Sequence, residues 1–552
     1  MTFRDELSVT LSHVDPVVRQ TPTDEIAVRI RPVPLGGSAL SQALQQGAVG
    51  RDWLAPRPVS AESWQTHVAA VRAATVGSDW LAALAPAFGA TGAAAERLAR
   101  AAAAGVVVTT GQQPGLFGGP AYTFTKALGA LALADELERV TGMPVAPVFW
   151  AASDDADWAE AAVTHVATAR GLQTAALVGP ASDGVSMNDV GLGPLEEARA
   201  VLMAACGSTA HPSILELVDA AYVPHATIGA AYVQLMRALL EPLGIAVLDA
   251  SHPALRAAAD PVLRHALRHA PAVHDALRTR VRAIEHAGYA PQVDVVDGLS
   301  LVFRSRLVDR EGQVTRVRER VKIADAPQVA REAEVGALGA NVLLRPVVER
   351  SLLPTVTYLA GPGEYAYFAQ VAPVAEALGT PVPVVTPRFA CELIEAEHFD
   401  RLARLGLDEA SLRDAHAAEA SVARGQLNET VADSMERLRV ALDTQVRALR
   451  DALAGDAAPV ADDVVQGLAR DLAHRLDRFE RRVLAGVKRV EHDVLREVAV
   501  VRAAFRPNGQ SPERVLNLVP LLARYGPGLL LRIREAAGPH ARQVVCGATA
   551  DV

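Results

Sequence analysis

The chain has 552 residues, with 54 Lys and Arg against 63 Asp and Glu, a net charge of −9 and a pI near 6.0. With 50% hydrophobic and 21% charged residues, bulk disorder is excluded. The acidic balance argues against a nucleic-acid binder with a broad basic face. The length suits about three or four domains, or one large core with insertions. Cys206, Cys391 and Cys546 are far apart and form no CxxC pair, which fits a reducing cytosol and no thiolate zinc site. The opening Met1–Leu7 carries charges where a signal peptide needs an apolar run, and no membrane-length apolar stretch follows. A soluble cytoplasmic protein is expected.

In chain order, Val106-Val-Val-Thr-Thr110 predicts a buried parallel strand. A Gly/Pro-rich loop, 111–120, and a helix over 121–140 follow, with Thr141-Gly142 as the stop. Val145–Ala151 predicts a second strand, ending in Ser153-Asp-Asp-Ala-Asp157. Leu243–Asp249 and Ser300–Phe303 read as further strands. A second strand–turn–helix unit is predicted from Thr355–Ala360, the turn 361–364 and a helix over 365–378, with a return strand over 381–388. This alternation predicts an α/β core with a largely parallel sheet. After about residue 400, Val431, Met435, Leu438, Leu442, Val446, Leu449 and Leu453 recur every three or four positions. Beyond a break at 455–459, Leu472, Leu476, Phe479, Val483, Val487, Val490, Val494 and Val498 do the same. Two long helices forming an antiparallel coiled-coil arm are expected. The division expected is a core over 1–400, the arm over 401–508, and a segment over 509–552 docking back on the core.

The loop 111–120 sits where strand-to-helix loops of parallel sheets bind ligands. Its glycines allow close approach of a phosphate, Gln112 and Gln113 can donate hydrogen bonds, and Lys126 can reach a phosphate as a point charge. It is neither a Walker A loop nor the dinucleotide fingerprint, since the spacing of Gly111, Gly115, Gly118 and Gly119 fits neither. Asp154, Asp155 and Asp157 could hold Mg²⁺, bind an amine, act as a general base, or cap a helix. Gly361-Pro-Gly-Glu364 repeats the anion-cradling logic at a second strand end, and Arg388 could grip a carboxylate or phosphate bidentately. His165, His225, His252, His398 and His492 show no ligand spacing, so no metal site is predicted from them.

Residues 108–126 (VTTGQQPGLFGGPAYTFTK), 144–150, 288–293, 344–346, 353–355, 360–367 and 383–388 together resemble the BshC family, the cysteine-adding enzymes of bacillithiol biosynthesis. The tail motifs 507–509, 513–517 and 524–526 fit the same pattern, and the likeness runs from about residue 100 to 530. It implies a Rossmann-like core, related to nucleotidylyltransferases and class I tRNA synthetases, with insertions and a dimerising coiled coil. It implies addition of L-cysteine to glucosaminyl malate as the last step of the pathway, with ATP as the expected activator, with or without Mg²⁺. With the strand-end reading and the resemblance taken together, the catalytic set expected is Gln113, Lys126, Asp154, Asp155, Asp157 and Glu364. Gly111, Gln112, Gly115, Gly119, Tyr122, Gly361, Pro362, Gly363, Tyr367 and Arg388 are the expected substrate and nucleotide contacts. Ala156 stands where the family has His, and Glu349-Arg350 where Gln and an acidic residue are expected. Two alternatives follow: adenylation or nucleotidyl transfer to another small acid, or a coiled-coil scaffold on an inactive core. The partners expected are small molecules and a second copy of the chain, without nucleic acid or membrane.

Overall fold

The β-branched run after Gly105 forms a strand buried on both sides, β1 (Val106–Gln112). The helix α1 (Tyr122–Thr141) leads from it to β2 (Val145–Ala151), and β3 (Ala246–Asp249) precedes α2 (Pro253–Arg268). An antiparallel excursion follows: β4 (Leu299–Arg310), β5 (Gln313–Lys322) and β6 (Leu338–Ala340). The chain then returns through β7 (Thr355–Ala360), α3 (Pro362–Ala377) and β8 (Val385–Pro387). These coordinates are a computed structural model describing residues 3, 5–7 and 27–547, except 51, 76, 180–183, 311–312, 426, 428, 454–458 and 491. Part of the charged start, most of the predicted break at 455–459, and the side chains of Val487 and Val490 lie outside the described residues.

The main sheet is parallel, in the order β8-β7-β1-β2-β3. Val106, Val108 and Phe149 face one apolar cluster, and Val107, Val148 and Trp150 the other, so both faces are covered. A helix near the end of the chain, Gly528–Cys546, packs against α1 and belongs to the first cluster. Ser300–Phe303 does form strand, but in the separate sheet β5-β4-β6 rather than in the parallel one. The expected return strand shrinks to β8, because Pro381 and Pro383 have no N–H for a ladder. The expected 361–364 turn is instead the N-cap and first turn of α3, with Pro362 at the position where a helix needs no N–H.

Beyond the core, α4 (Glu429–Ala452) and α5 (Asp462–Val490) run antiparallel. Arg450 pairs with Asp462 at 2.6 Å and Arg439 with Glu480 at 2.6 Å, so one numbering rises as the other falls. Among the described residues no single helix is long and apolar enough to cross a membrane. Only Ala61–Thr75 and Trp80–Phe88 pass as a pair; they are bent by 95° and bury Trp64, Val68, Trp80 and Phe88 in the protein.

Candidate functional site

The two glycine segments, 250 residues apart in sequence, meet at the carboxyl edge of the main sheet. They line one cavity of about 650 Å³, within the range of small-molecule sites. Gly111, Gln112 and Gln113 enter from the end of β1, Asp154 and Asp155 from beyond β2, and Gly361–Glu364 from the start of α3. Gly111 is required by close packing: a Cβ there would lie 2.6 Å from the Trp150 carbonyl oxygen. Tyr122, Tyr367 and Ala156 also line the cavity, so the position where the resemblance led us to expect His faces it.

Lys126 ties the segments together from beneath. It is 1% exposed and donates to the Gly111 carbonyl at 2.5 Å, to Gln112 Oε1 at 3.2 Å and to Glu364 Oε2 at 2.7 Å. Glu364 also accepts from Tyr358 Oη at 2.6 Å and from the Gly361 N–H at 2.6 Å. Burial alone would raise the Glu364 pKa, but Lys126, Tyr358 and Gly361 outweigh it and hold the carboxyl below the usual glutamate range. Burial pulls Lys126 down from the ordinary lysine value, against the opposing pull of Glu364. The expected freely reaching Lys126 is therefore a buried cation already holding three oxygens of its own chain.

From Gln112 the network continues outward. Its Nε2 donates to Tyr122 Oη at 2.7 Å and to Gln113 Oε1 at 2.9 Å. Asp155, half-buried, accepts from the Ala156 N–H at 2.7 Å. Burial holds its carboxyl above the usual aspartate value, and Asp154 adds to the shift. Burial raises the Glu160 carboxyl in the same way, so Asp155 and Glu160 both have basicity to offer at the cavity, whereas Glu364 is locked.

Three expectations about placement are corrected. Gly115 and Gly119 do not line the cavity. They form a turn whose Gly115 carbonyl accepts from Tyr222 Oη at 3.2 Å, and Gly119 has φ +73. Asn517 Nδ2 clamps the intervening carbonyls of Leu116 and Phe117, at 3.2 and 3.0 Å, where Phe117 takes the strained φ of 53. Asp157 is exposed and outside the lining; it caps a short helix by accepting from the Glu160 N–H at 3.1 Å. Arg388 does line the cavity, but its bidentate grip is on the chain's own buried Glu513, at 2.6 and 3.0 Å.

Sequence reasoning missed Glu160, Arg256, Arg318, Arg320 and Arg345, all on the cavity wall. Arg345 pairs with buried Glu349 at 2.6 Å and lies over the Tyr358 ring at 4.9 Å; Glu349 also accepts from Thr109. The departure Glu349 from the family pattern therefore has a partner. Arg318 and Arg320 alternate on β5, and that R-V-R-E-R spacing over 316–320 was the available signal. Among the described residues, one trio with metal-ligand proximity occurs, Glu395, Glu397 and His398; it lies outside the cavity, and Glu395 is held by Arg524 at 2.9 Å and Tyr525 at 2.7 Å.

Two family models match the chain. One is described as bacillithiol biosynthesis BshC, N-terminal Rossmann-like domain, over residues 56–389; the other as the BshC C-terminal coiled-coil domain, over 393–545. Similar curated proteins carry the name "Putative cysteine ligase BshC". One from Koribacter versatilis (strain Ellin345) is 32% identical over 456 residues, covering 80% of this chain and 83% of its own length. One from Solibacter usitatus (strain Ellin6076) is 30% identical over 450 residues, covering 78% and 82%. One from Bacillus cereus (strain B4264) is 24% identical over 450 residues, covering 78% and 82%.

Proposed function

Because the chain belongs to the bacillithiol-biosynthesis BshC family, we propose that it is a cytoplasmic ligase joining L-cysteine to glucosaminyl malate through an amide bond, as the last step of that pathway. The observation that carries the reading is the meeting of both glycine segments, with Asp154 and Asp155, in one cavity. Amide formation from a free carboxylate is uphill in water, so the carboxylate of cysteine needs activation. ATP would supply that activation as an acyl-adenylate or acyl-phosphate.

The residues fit such an anion. The first-turn N–H groups of Gly363 and Glu364 have no intrahelical acceptor, and both residues line the cavity. Two buried guanidinium nitrogens on the wall, Arg345 Nη2 and Arg388 Nε, have no hydrogen-bond partner among the described residues. Mg²⁺, if used, would come in on the nucleotide phosphates, with Asp154 as the nearby carboxylate. Asp155 would take the proton released by the attacking amine. Gln113 would position that carboxyl, while Lys126 and Glu364 keep the two glycine segments together. A second copy of the chain would pair through the arm.

The test is to incubate the purified chain with L-cysteine, glucosaminyl malate and ATP and to follow thiol product by mass spectrometry. Bacillithiol is expected; failure of the folded wild-type chain to make it would overturn the reading.

A further inference from the structure

The cavity has two unlike walls. The core wall carries Asp154, Asp155, Glu160 and the locked Glu364, with Lys126, Arg345 and Arg388 each paired to a carboxylate of the chain's own. The adjoining wall, which meets the first where Arg318 reaches the Asp154 carbonyl, is the ribbon β4–β5 together with α2. In the ribbon, Arg318 lies opposite Ser305 and Arg320 opposite Phe303, so these four residues share one face, and all four line the cavity. Arg318 is held in place: its guanidinium lies 4.7 Å over the Phe303 ring and donates to the Asp154 carbonyl. Its nearest carboxylate oxygen, Asp154 Oδ2, is 3.8 Å away. Arg320 donates through Nε and Nη2 to the Ser300 carbonyl, at 3.0 and 2.6 Å, and has no carboxylate partner among the described residues. The Arg256 side chain, half-buried on α2, has no hydrogen bond or ion pair among the described residues. Burial pushes its pKa down, and the neighbouring charges of Arg316 and Arg318 push the same way, against Asp154 and Asp189. Guanidinium groups crowded on one wall, with Arg318 and Arg320 fixed by backbone carbonyls, are preorganised for a multiply charged oxyanion.

We propose that Arg256, Arg318 and Arg320 anchor the dicarboxylate end of the acceptor substrate. This deepens the ligase reading and rests on it for the identity of the acceptor. Glucosaminyl malate carries two carboxylates at one end and its amine at the other. With the carboxylates on the arginine wall, the amine is directed toward the Asp155 wall. The nucleotide phosphates then fall to the start of α3, so the two anions do not compete.

Calorimetry on the full chain tests this, with L-malate, glucosaminyl malate and ATP as separate probes. Arg256→Ala and Arg320→Ala should each weaken L-malate and glucosaminyl malate about tenfold or more, the scale of a lost charge-assisted bond, with ATP binding unchanged. In turnover, the KM for the acceptor should rise while kcat is largely kept, and Arg320→Lys should recover part of the affinity. The Arg256 side chain has no hydrogen bond or ion pair to lose among the described residues, so its variant guards against a folding artefact at Arg320. Unchanged affinity for both acids in variants that melt like the wild type would overturn the anchor. Weakened ATP binding instead would assign the wall to phosphates and also overturn it. Wild-type L-malate binding that the variants lose, without thiol product, would defeat the ligase reading and leave the anchor standing.

Discussion

The core and the arm are built on opposite terms. In the core, β1, β2 and β7 are almost wholly buried, and a charged pair, Lys126 and Glu364, sits within that interior. In the arm, α4 has no buried residue at all. Its seam is only partly covered by α5: Met435, Leu442 and Val446 are half-buried, while Val431, Leu438 and Leu449 stay exposed, as do Leu468 and Phe479 across from them. A core that pairs its buried charges within the chain can hold a reaction site of its own. An arm that leaves an apolar stripe in water is built for another surface.

The sharpest way to break this contrast is to remove one partner of the core pair. Lys126→Met leaves the half-buried Glu364 without its cation, and Glu364→Gln leaves the buried Lys126 without its carboxylate. Each should destabilise by about 3–5 kcal/mol in denaturant unfolding, with the double variant recovering part of the loss. The Glu364 carboxyl lies below the ordinary glutamate range, so its contribution is present above that range and disappears as pH falls through the folded value. Single variants within 1 kcal/mol of wild type would mean that the pair does not hold the two segments together.

Asp155→Asn tests chemistry rather than stability. A positioned general base contributes about 10²–10⁴-fold, so kcat should fall by that order while the melting temperature stays near wild type. Because burial raises the Asp155 pKa, its base form appears only as pH rises past the usual aspartate value. The wild-type rate should therefore climb on the acid side through a titration above that value, and the Asn variant should lose that limb. A variant with full activity and the same acid limb would remove Asp155 from the mechanism.

Much of the core was legible because its signals are local. Val106–Thr110 could only be a strand buried on both sides, and the helix expected over 121–140 appears one residue later, ending at Gly142 with φ 68. The glycine segments and Gln112, Gln113, Asp155 and Glu364 were found from strand-end logic. What was lost depended on tertiary partners. Arg388 reads as a ligand-binding residue until Glu513, from the tail, is seen in its fork. Asp157 reads like its neighbours until a helix starts immediately after it. The arginine wall was missed because nothing local tells a strand such as β5 which sheet it joins or what faces it.

The arm gives the next test. If its apolar stripe meets a second copy of the chain, Leu438→Glu with Phe479→Glu should halve the mass seen by light scattering and leave the acceptor KM unchanged, since neither residue lines the cavity. A mass equal to wild type would mean that the stripe does not mediate assembly.

The smallest effect is expected from the arm's ion pairs. Arg439 reaches Glu480 at 2.6 Å and Asp477 at 3.5 Å, but its side chain is 49% exposed. Water and salt screen such a pair, and holding a long side chain in one geometry costs entropy. Arg439→Ala should therefore change stability by less than about 1 kcal/mol, and less still as salt is raised. A loss near that of Lys126→Met would mean that the arm, too, is held by buried charge, and the contrast between the two regions would fail at its weaker end.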